Sequence, residues 1–293
     1  MADQPEFRRV AVIGVGLIGG SFGMALRNRG LADEVIGVGR NEGRLQRGVE
    51  LGAVDSWTLD LREGVTGADL VYFATPVGMV IDFMTQALPF VAADCIITDA
   101  GSTKAEICAC ADELVGDRAM FVGGHPMAGS EEAGVEAAGG DLFEGTTYVL
   151  TPTSATRPEA VEKMRHVAQG IGARVLVMDP GAHDKCVAVI SHFPHLMAAA
   201  LVLLAEQESE RNPHLFDLVA GSFRDMTRVA GSPPILWRDI CMSNVNAVSE
   251  AASEFGRLVD QAVELMQAGD ARSLEDWFAG AKSVRDSIYR GDG

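Results

Sequence analysis

The sequence predicts an α/β protein, with an N-terminal Rossmann-type doubly wound, mainly parallel sheet followed by an all-α second half. Three observations predict it. Short apolar runs alternate with helical stretches up to about residue 178. A Gly14-Val15-Gly16-Leu17-Ile18-Gly19 turn follows the first run. Beyond Asp179-Pro180 only helical periodicity remains. Strands that alternate with helices need crossover connections, and those make neighbouring strands parallel.

The elements follow in order. Residues 10–15 form an apolar run of the kind buried on both faces of a sheet, and residues 17–29 read as a helix. Residues 34–38 and 44–51 repeat the unit. Further strands are expected at 68–74, 95–99, 120–123, 147–150 and 174–177. Asp179 then starts a helix: its carboxylate can accept free N–H groups, and Pro180 suits the first helical position. Long helices are expected over 195–207, 237–258 and 273–288. The boundary falls at 178–182 and gives domains over 1–179 and 180–293.

Composition narrows the function. The chain has 293 residues, enough for two domains at about 150 residues each. Its 41 acidic and 24 basic residues give a net charge of −17, which argues against nucleic acid or an anionic membrane as the main partner. With 47% hydrophobic and 22% charged residues it is globular rather than disordered. No apolar run approaches the roughly 18–20 residues of a membrane span. Residues 1–9 are too polar for a signal peptide. Five cysteines are an odd number, and Cys108 and Cys110 lie too close for a redox or zinc pair. Reduced thiols in the cytoplasm are the expectation.

The glycine-rich turn carries the first functional assignment. Gly14 permits the tight turn, Gly16 lets a pyrophosphate approach the backbone, and Gly19 lets helix pack on strand. The helix that opens at Leu17 and Ile18 presents free N–H groups to the phosphates. Dinucleotide binding is therefore expected, against a ligand-free tight turn as the alternative. NAD sites place a carboxylate about 20 residues on, at the end of the second strand. That position is Gly39, followed by Arg40, with Arg44 one turn later. A guanidinium in place of a carboxylate suits a 2′-phosphate, so NADP is favoured over NAD. Arg40 and Arg44 as plain surface residues remain the alternative.

Three more segments end strands and would border the same crevice: Ala74-Thr75-Pro76-Val77, Asp99-Ala100-Gly101-Ser102-Thr103-Lys104, and residues 123–130 around His125. Ser102 could equally cap the next helix. His125, between glycines and a proline, has the chemistry to take a proton from an alcohol as hydride leaves its carbon. In the helical half Ser191 and His195 lie four apart on one face, which suits a polar substrate pocket. No HExxH or matching acidic partner supports zinc, so no metal is expected. Arg224 and Arg228 also lie four apart, and in so acidic a chain they suggest an anionic substrate. Pairing with Asp225 or Asp239 is the structural alternative.

Together these residues resemble the prephenate/arogenate (cyclohexadienyl) dehydrogenase family of tyrosine biosynthesis. The matching pieces are GVGLIGGS at 14–21, ATPV at 74–77, DAGSTK at 99–104, GGHPMAGSE at 123–131, HDK at 183–185, SHFPH at 191–195 and FRDMTRVAGSPPILWRDI at 223–240. They run in order across nearly the whole chain. The resemblance implies a Rossmann domain, a helical domain that forms a homodimer, and NAD(P)-dependent oxidative decarboxylation of a cyclohexadienyl acid. It implies that His125 accepts the proton of the ring hydroxyl and that Ser102 orients His125 or the hydroxyl. It places Ser191 and His195 on the substrate site and Arg228 on a substrate carboxylate. Gly14, Gly16 and Gly19, with Ala74, Thr75, Pro76 and Gly101, fall to the cofactor. Members using NAD commonly carry Asp where this chain has Gly39. No fused chorismate mutase segment or C-terminal regulatory domain is recognised, so tyrosine inhibition is expected at the active site.

Two rivals remain. A β-hydroxyacid or 6-phosphogluconate-type dehydrogenase needs a catalytic lysine in the helical half. Only Lys185 and Lys282 lie there, and neither has a glycine-rich setting. A nucleotide-sensing protein without turnover keeps the glycine turn but has no need of His125, Ser191, His195 and Arg228 together.

Overall fold

The computed structural model describes residues 5–129 and 134–289. Ser130 and Glu131 of the segment after His125, and residues 1–4 of the polar N-terminus, lie outside the described residues. Two compact units are present, Met1–Val245 and Asn246–Gly293.

The first unit is built on eight strands: β1 (Phe7–Ile13), β2 (Ala32–Val38), β3 (Ser56–Thr58), β4 (Leu70–Phe73), β5 (Ile96–Asp99), β6 (Met120–Pro126), β7 (Thr147–Thr151) and β8 (Arg174–Val177). Their order across the sheet is β3-β2-β1-β4-β5-β6-β7-β8. Every neighbouring pair is parallel except β6 with β7. The order reverses between β1 and β4, and such a switch point opens a crevice at the carboxyl ends of the strands.

Two details depart from the sequence expectation. β3 was not foreseen, because three residues, Ser-Trp-Thr, are too short to show a period. The strand expected at 120–123 runs on to Pro126. Antiparallel pairing sets Gly123 opposite Thr151 and His125 opposite Val149. His125 therefore stands in a strand braced by β7, where a loop was expected.

The strands are apolar on both faces because both faces are covered. Val10, Val12, Leu70, Tyr72 and Ile96 pack one side with Phe22 and Leu26. Ala11, Ile13, Val71, Phe73 and Ile97 pack the other with Met84 and Ile107. Phe22 stacks on Tyr72 with ring centroids 3.9 Å apart, which fixes the first helix, Leu17–Asn28, against the sheet.

Asp179 begins the helical half as expected, with Oδ1 accepting the Ala182 N–H at 2.8 Å at the start of the helix Pro180–Val187. A π turn over Ala188–His192 follows, then the helix Phe193–Ser209. Pro194 has no N–H to give the turn before it, and the ladder widens just ahead of it. The expectation about apolar runs needs correction here. Pro180–Ser209 is one 30-residue helical run with a window of mean hydropathy 2.0, long and apolar enough by length and composition to cross a membrane. Its polar residues, Ser191, His192 and His195 among them, interrupt the sequence run but not the helix.

A second correction concerns 237–258. Two helices, Pro234–Ser243 and Val245–Ala268, replace the single one expected. Asn244 between them has φ −128° and ψ 32°, and its buried amide turns inward to polar partners. The last helix, Ala271–Tyr289, matches its expectation closely. Among the described residues, the exposed large apolar side chains lie at or beyond Leu176, apart from Leu59 and Phe90.

Candidate active site

Two clefts of the first unit gather the candidate residues. One, of about 640 Å³, lies at the β1–β4 switch point. Gly14 has φ +98°, and a Cβ there would sit 2.8 Å from the Ala74 carbonyl oxygen, so only glycine can make this turn. A Cβ on Gly16 would meet nothing within 4 Å, so its backbone faces open space. The helix Leu17–Asn28 starts at Gly16 without a side-chain cap, which leaves its first N–H groups free for an anion. Thr75 Oγ1 is buried on the cleft wall without a hydrogen-bond partner. An open glycine, an uncapped helix start and an orphaned hydroxyl fit a dinucleotide.

Gly39, Arg40 and Arg44 line the same cleft with Ala74, Thr75 and Pro76, and no acidic side chain is among the described lining residues. Both guanidiniums are exposed. Asn41 is occupied otherwise: its Oδ1 accepts the Arg44 N–H at 2.9 Å and caps the helix Glu42–Glu50. Leu17, Ile18, Gly19 and Gly101 stand off the wall. Gly19 is buried beneath the turn, Ile18 packs on the core, and the Gly101 N–H is taken by Asp99 Oδ2 at 2.8 Å.

The second cleft, of about 430 Å³, brings together Ser102, His125, Ser191, His195 and Arg228. Residues from four distant segments thus line one cleft. Arg224 does not line it. The helix carrying Arg224 ends at Thr227, and Arg228 opens a 3-10 turn, so the expected shared face of the two arginines is broken. Asp239 pairs with Arg238 at 2.7 Å.

His125 is held from behind. Its Nδ1 lies 2.8 Å from His183 Nε2, and His183 Nδ1 lies 2.8 Å from Asp184 Oδ1. Asp184 accepts the Lys104 and Ala105 N–H groups at 2.7 and 2.8 Å, the start of the helix Ala105–Val115. That helix is capped from across the fold, and not by Ser102. A carboxylate only accepts, so His183 donates from Nδ1, and its Nε2 accepts the hydrogen bond that His125 offers. His125 then carries its proton on Nδ1 and turns the Nε2 lone pair to the cleft. Burial, then His183, Lys104 and His192, hold its pKa well below the ordinary 6.5, so the ring is unprotonated at neutral pH.

Two other imidazoles face the cleft. His195 donates from Nδ1 to the Ser191 carbonyl at 3.0 Å and stacks on Trp237 with centroids 3.4 Å apart. Burial lowers its pKa. His192 lies 3.2 Å from Asn244 Nδ2, which also donates to the Asp184 carbonyl at 2.8 Å. Burial brings His192 down to about 4. Lys185 is exposed and does not line this cleft, and Lys282 pairs with Asp286 at 2.8 Å.

Sequence reasoning missed His183, Asp184, Trp237 and Asn244 as contributors. The adjacent His183-Asp184 pair, just inside a capped helix, was the available signal. Nothing in the sequence places Asn244 beside it.

A Rossmann sheet with a cleft at its switch point, and a second cleft lined by an imidazole and a guanidinium, suit an NAD(P)-using dehydrogenase. The comparisons make this particular. Residues 22–177 match a family model described as prephenate dehydrogenase, nucleotide-binding domain, and residues 179–280 match prephenate dehydrogenase, dimerization domain. The chain is 36% identical to prephenate dehydrogenase of Bacillus subtilis over 280 residues, 95% of this chain and 76% of that protein. It superposes on Aquifex aeolicus prephenate dehydrogenase, solved with hydroxyphenyl propionate and NAD+, with a TM-score of 0.91 at 32% identity, covering 96% and 98% of the two chains. Synechocystis arogenate dehydrogenase gives 0.84 at 31% identity, covering 96% and 99%. The chain belongs to the prephenate dehydrogenase family and is an oxidoreductase.

Proposed function

We propose that this protein catalyses the NAD(P)-dependent oxidative decarboxylation of a cyclohexadienyl acid, prephenate to 4-hydroxyphenylpyruvate or arogenate to tyrosine. The observation that carries the reading is the His125 imidazole, its Nε2 free toward a cleft that also holds Arg228. When bound, the nicotinamide supplies the acceptor for the hydride that leaves C4 of the ring. His125 Nε2 takes the 4-hydroxyl proton as positive character grows on that carbon. It returns the proton to the same oxygen once the ring carboxylate departs as CO₂ and the ring becomes aromatic. His183 and Asp184 steady the transient imidazolium. Ser102 orients the hydroxyl or His125, Ser191 and His195 line the ring site, and Arg228 holds a substrate carboxylate.

For the cofactor we assign the pyrophosphate to Gly14, Gly16, Gly19 and the helix start at Leu17 and Ile18, with Gly101 and the 74–76 segment beside the nicotinamide. Arg40 and Arg44, with no carboxylate near, favour NADP. The test is a steady-state assay of prephenate and arogenate, each with NAD and NADP. The reading expects higher kcat/KM with NADP, and Arg40→Ala costing about tenfold with NADP and little with NAD. A clear NAD preference would overturn it. Run with added tyrosine, the same assay should show competition with the cyclohexadienyl acid, since product and substrate share ring and side chain. Noncompetitive inhibition would contradict that.

We divide the chain into a nucleotide-binding domain over 1–179 and a substrate and dimerisation domain over 180–293. The family models support this, matching on either side of residue 178. A monomer seldom exposes large contiguous apolar patches, and the exposed Val189, Ile190, Leu203 and Leu204 suit a homodimer interface. Sedimentation should give twice the chain mass of 31.0 kDa, and a monomer at micromolar concentration would refute the assignment. Five free cysteines fit a cytoplasmic setting, and cell fractionation that finds the protein outside the cytoplasm would refute it.

A further inference from the structure

Lys104 and Asp99 are both fully buried and form an ion pair that the chemistry above does not use. Burying two charges is costly and is offset only where their remaining hydrogen-bonding capacity is met. Here it is met at two backbone residues: Gly101, whose N–H donates to Asp99 Oδ2 at 2.8 Å, and Gly124. Lys104 Nζ donates to the Gly124 carbonyl at 2.8 Å, and Asp99 Oδ1 accepts the Gly124 N–H at 3.3 Å. The β5–β6 ladder ends at Thr98 and Val122, so the ion pair grips β6 where strand pairing on that side has stopped. Gly124 immediately precedes His125. Through its own backbone N–H, Lys104 also holds Asp184, which holds His183, which meets His125 Nδ1.

We propose that Lys104 is a positioning residue for the His125 imidazole, acting by two routes: its ammonium fixes the Gly124 backbone, and its amide anchors the Asp184–His183 support. The proposal rests on reading His125 as the base. It accounts for a buried charge pair that a purely structural role would fill equally well with apolar side chains. The side-chain route can be cut alone, because substitution leaves the backbone amide in place.

The test compares Lys104→Met, Lys104→Gln and His125→Asn in the full-length protein, each checked for a cooperative melt and cofactor binding. Lys104→Met should lose about 100-fold in kcat, the scale of a misplacement of about 1 Å, with substrate KM and cofactor Kd nearly unchanged. Lys104→Gln can still donate to the Gly124 carbonyl and should recover to within about tenfold of the parent. Both should move the acid limb of kcat/KM to higher pH. A cation that lowers the imidazole pKa is gone, while His183, backed by Asp184, and His192 of the π turn stay beside the ring, and Asp99 stays on the Gly124 N–H. Should Lys104→Met not fold, the double variant Asp99→Asn/Lys104→Gln removes both charges and should show the lowered kcat at unchanged KM. Folded variants with unchanged kcat and acid limb, beside an inactive His125→Asn, would overturn the proposal and leave the pair structural. An active His125→Asn would overturn the base reading instead, and the proposal with it.

Discussion

Replacing His125 with Asn is expected to lower kcat by about 1,000-fold, within the range of a lost general base. Substrate KM and cofactor Kd should stay close to the parent. Asn is smaller, and its amide cannot accept a proton at the place where Nε2 stands. The His183–Asp184 support, the Asp99–Lys104 pair and the dinucleotide cleft all lie behind or beside the ring. They should survive the change, so binding is separable from turnover. The residual rate reflects orientation of the acid against the cofactor, which the variant keeps. Single-turnover measurement of nicotinamide reduction distinguishes the outcomes, and a kcat within about tenfold of the parent would remove His125 from the role of base.

Replacing Arg228 with Leu is expected to act on the other parameter. A charge-assisted pair with a carboxylate contributes about 1.5–3 kcal/mol, and a two-pronged one lies at the upper end, so KM for the acid should rise roughly 100-fold. The effect on kcat should be a few-fold, because on the proposed function the guanidinium holds a group distant from the proton transfer. Arg228→Lys restores the charge without the planar fork and should fall between. Initial-rate kinetics at saturating cofactor decide it. A kcat loss at unchanged KM would place Arg228 on the transition state instead of the bound acid.

These two residues differ in how far the sequence exposed them. His125 could be found because it follows a glycine pair at a strand end, although its place inside β6 depends on antiparallel pairing with β7, which no local pattern encodes. Arg228 was singled out by its spacing to Arg224, which the fold does not keep, and by the resemblance of residues 223–240. The sheet was legible because strands buried on both faces are continuous apolar runs, and the glycine turn because a positive φ at Gly14 admits little else. β3 was lost for want of length.

The support behind His125 was legible only as the motif HDK at 183–185, without its contacts. His183 and Asp184 reach it from 58 and 59 positions along the chain, and Asn244 joins them from 60 residues further on. Each contact is long-range and polar, and periodicity reports only local apolar faces. The break at Asn244 shows the same limit. A helix that pattern reading would continue is interrupted because one amide has better partners inward.

The central claim is that one cleft couples hydride loss to loss of the ring carboxylate. The most direct test feeds prephenate labelled at the ring carboxyl to the enzyme with NAD or NADP and counts both products in the same sample. The account predicts one CO₂ released for each nicotinamide reduced, at every time point and with either cofactor. Reduced nicotinamide accumulating without matching CO₂ would contradict it, and would make the protein a simple alcohol dehydrogenase acting on the ring.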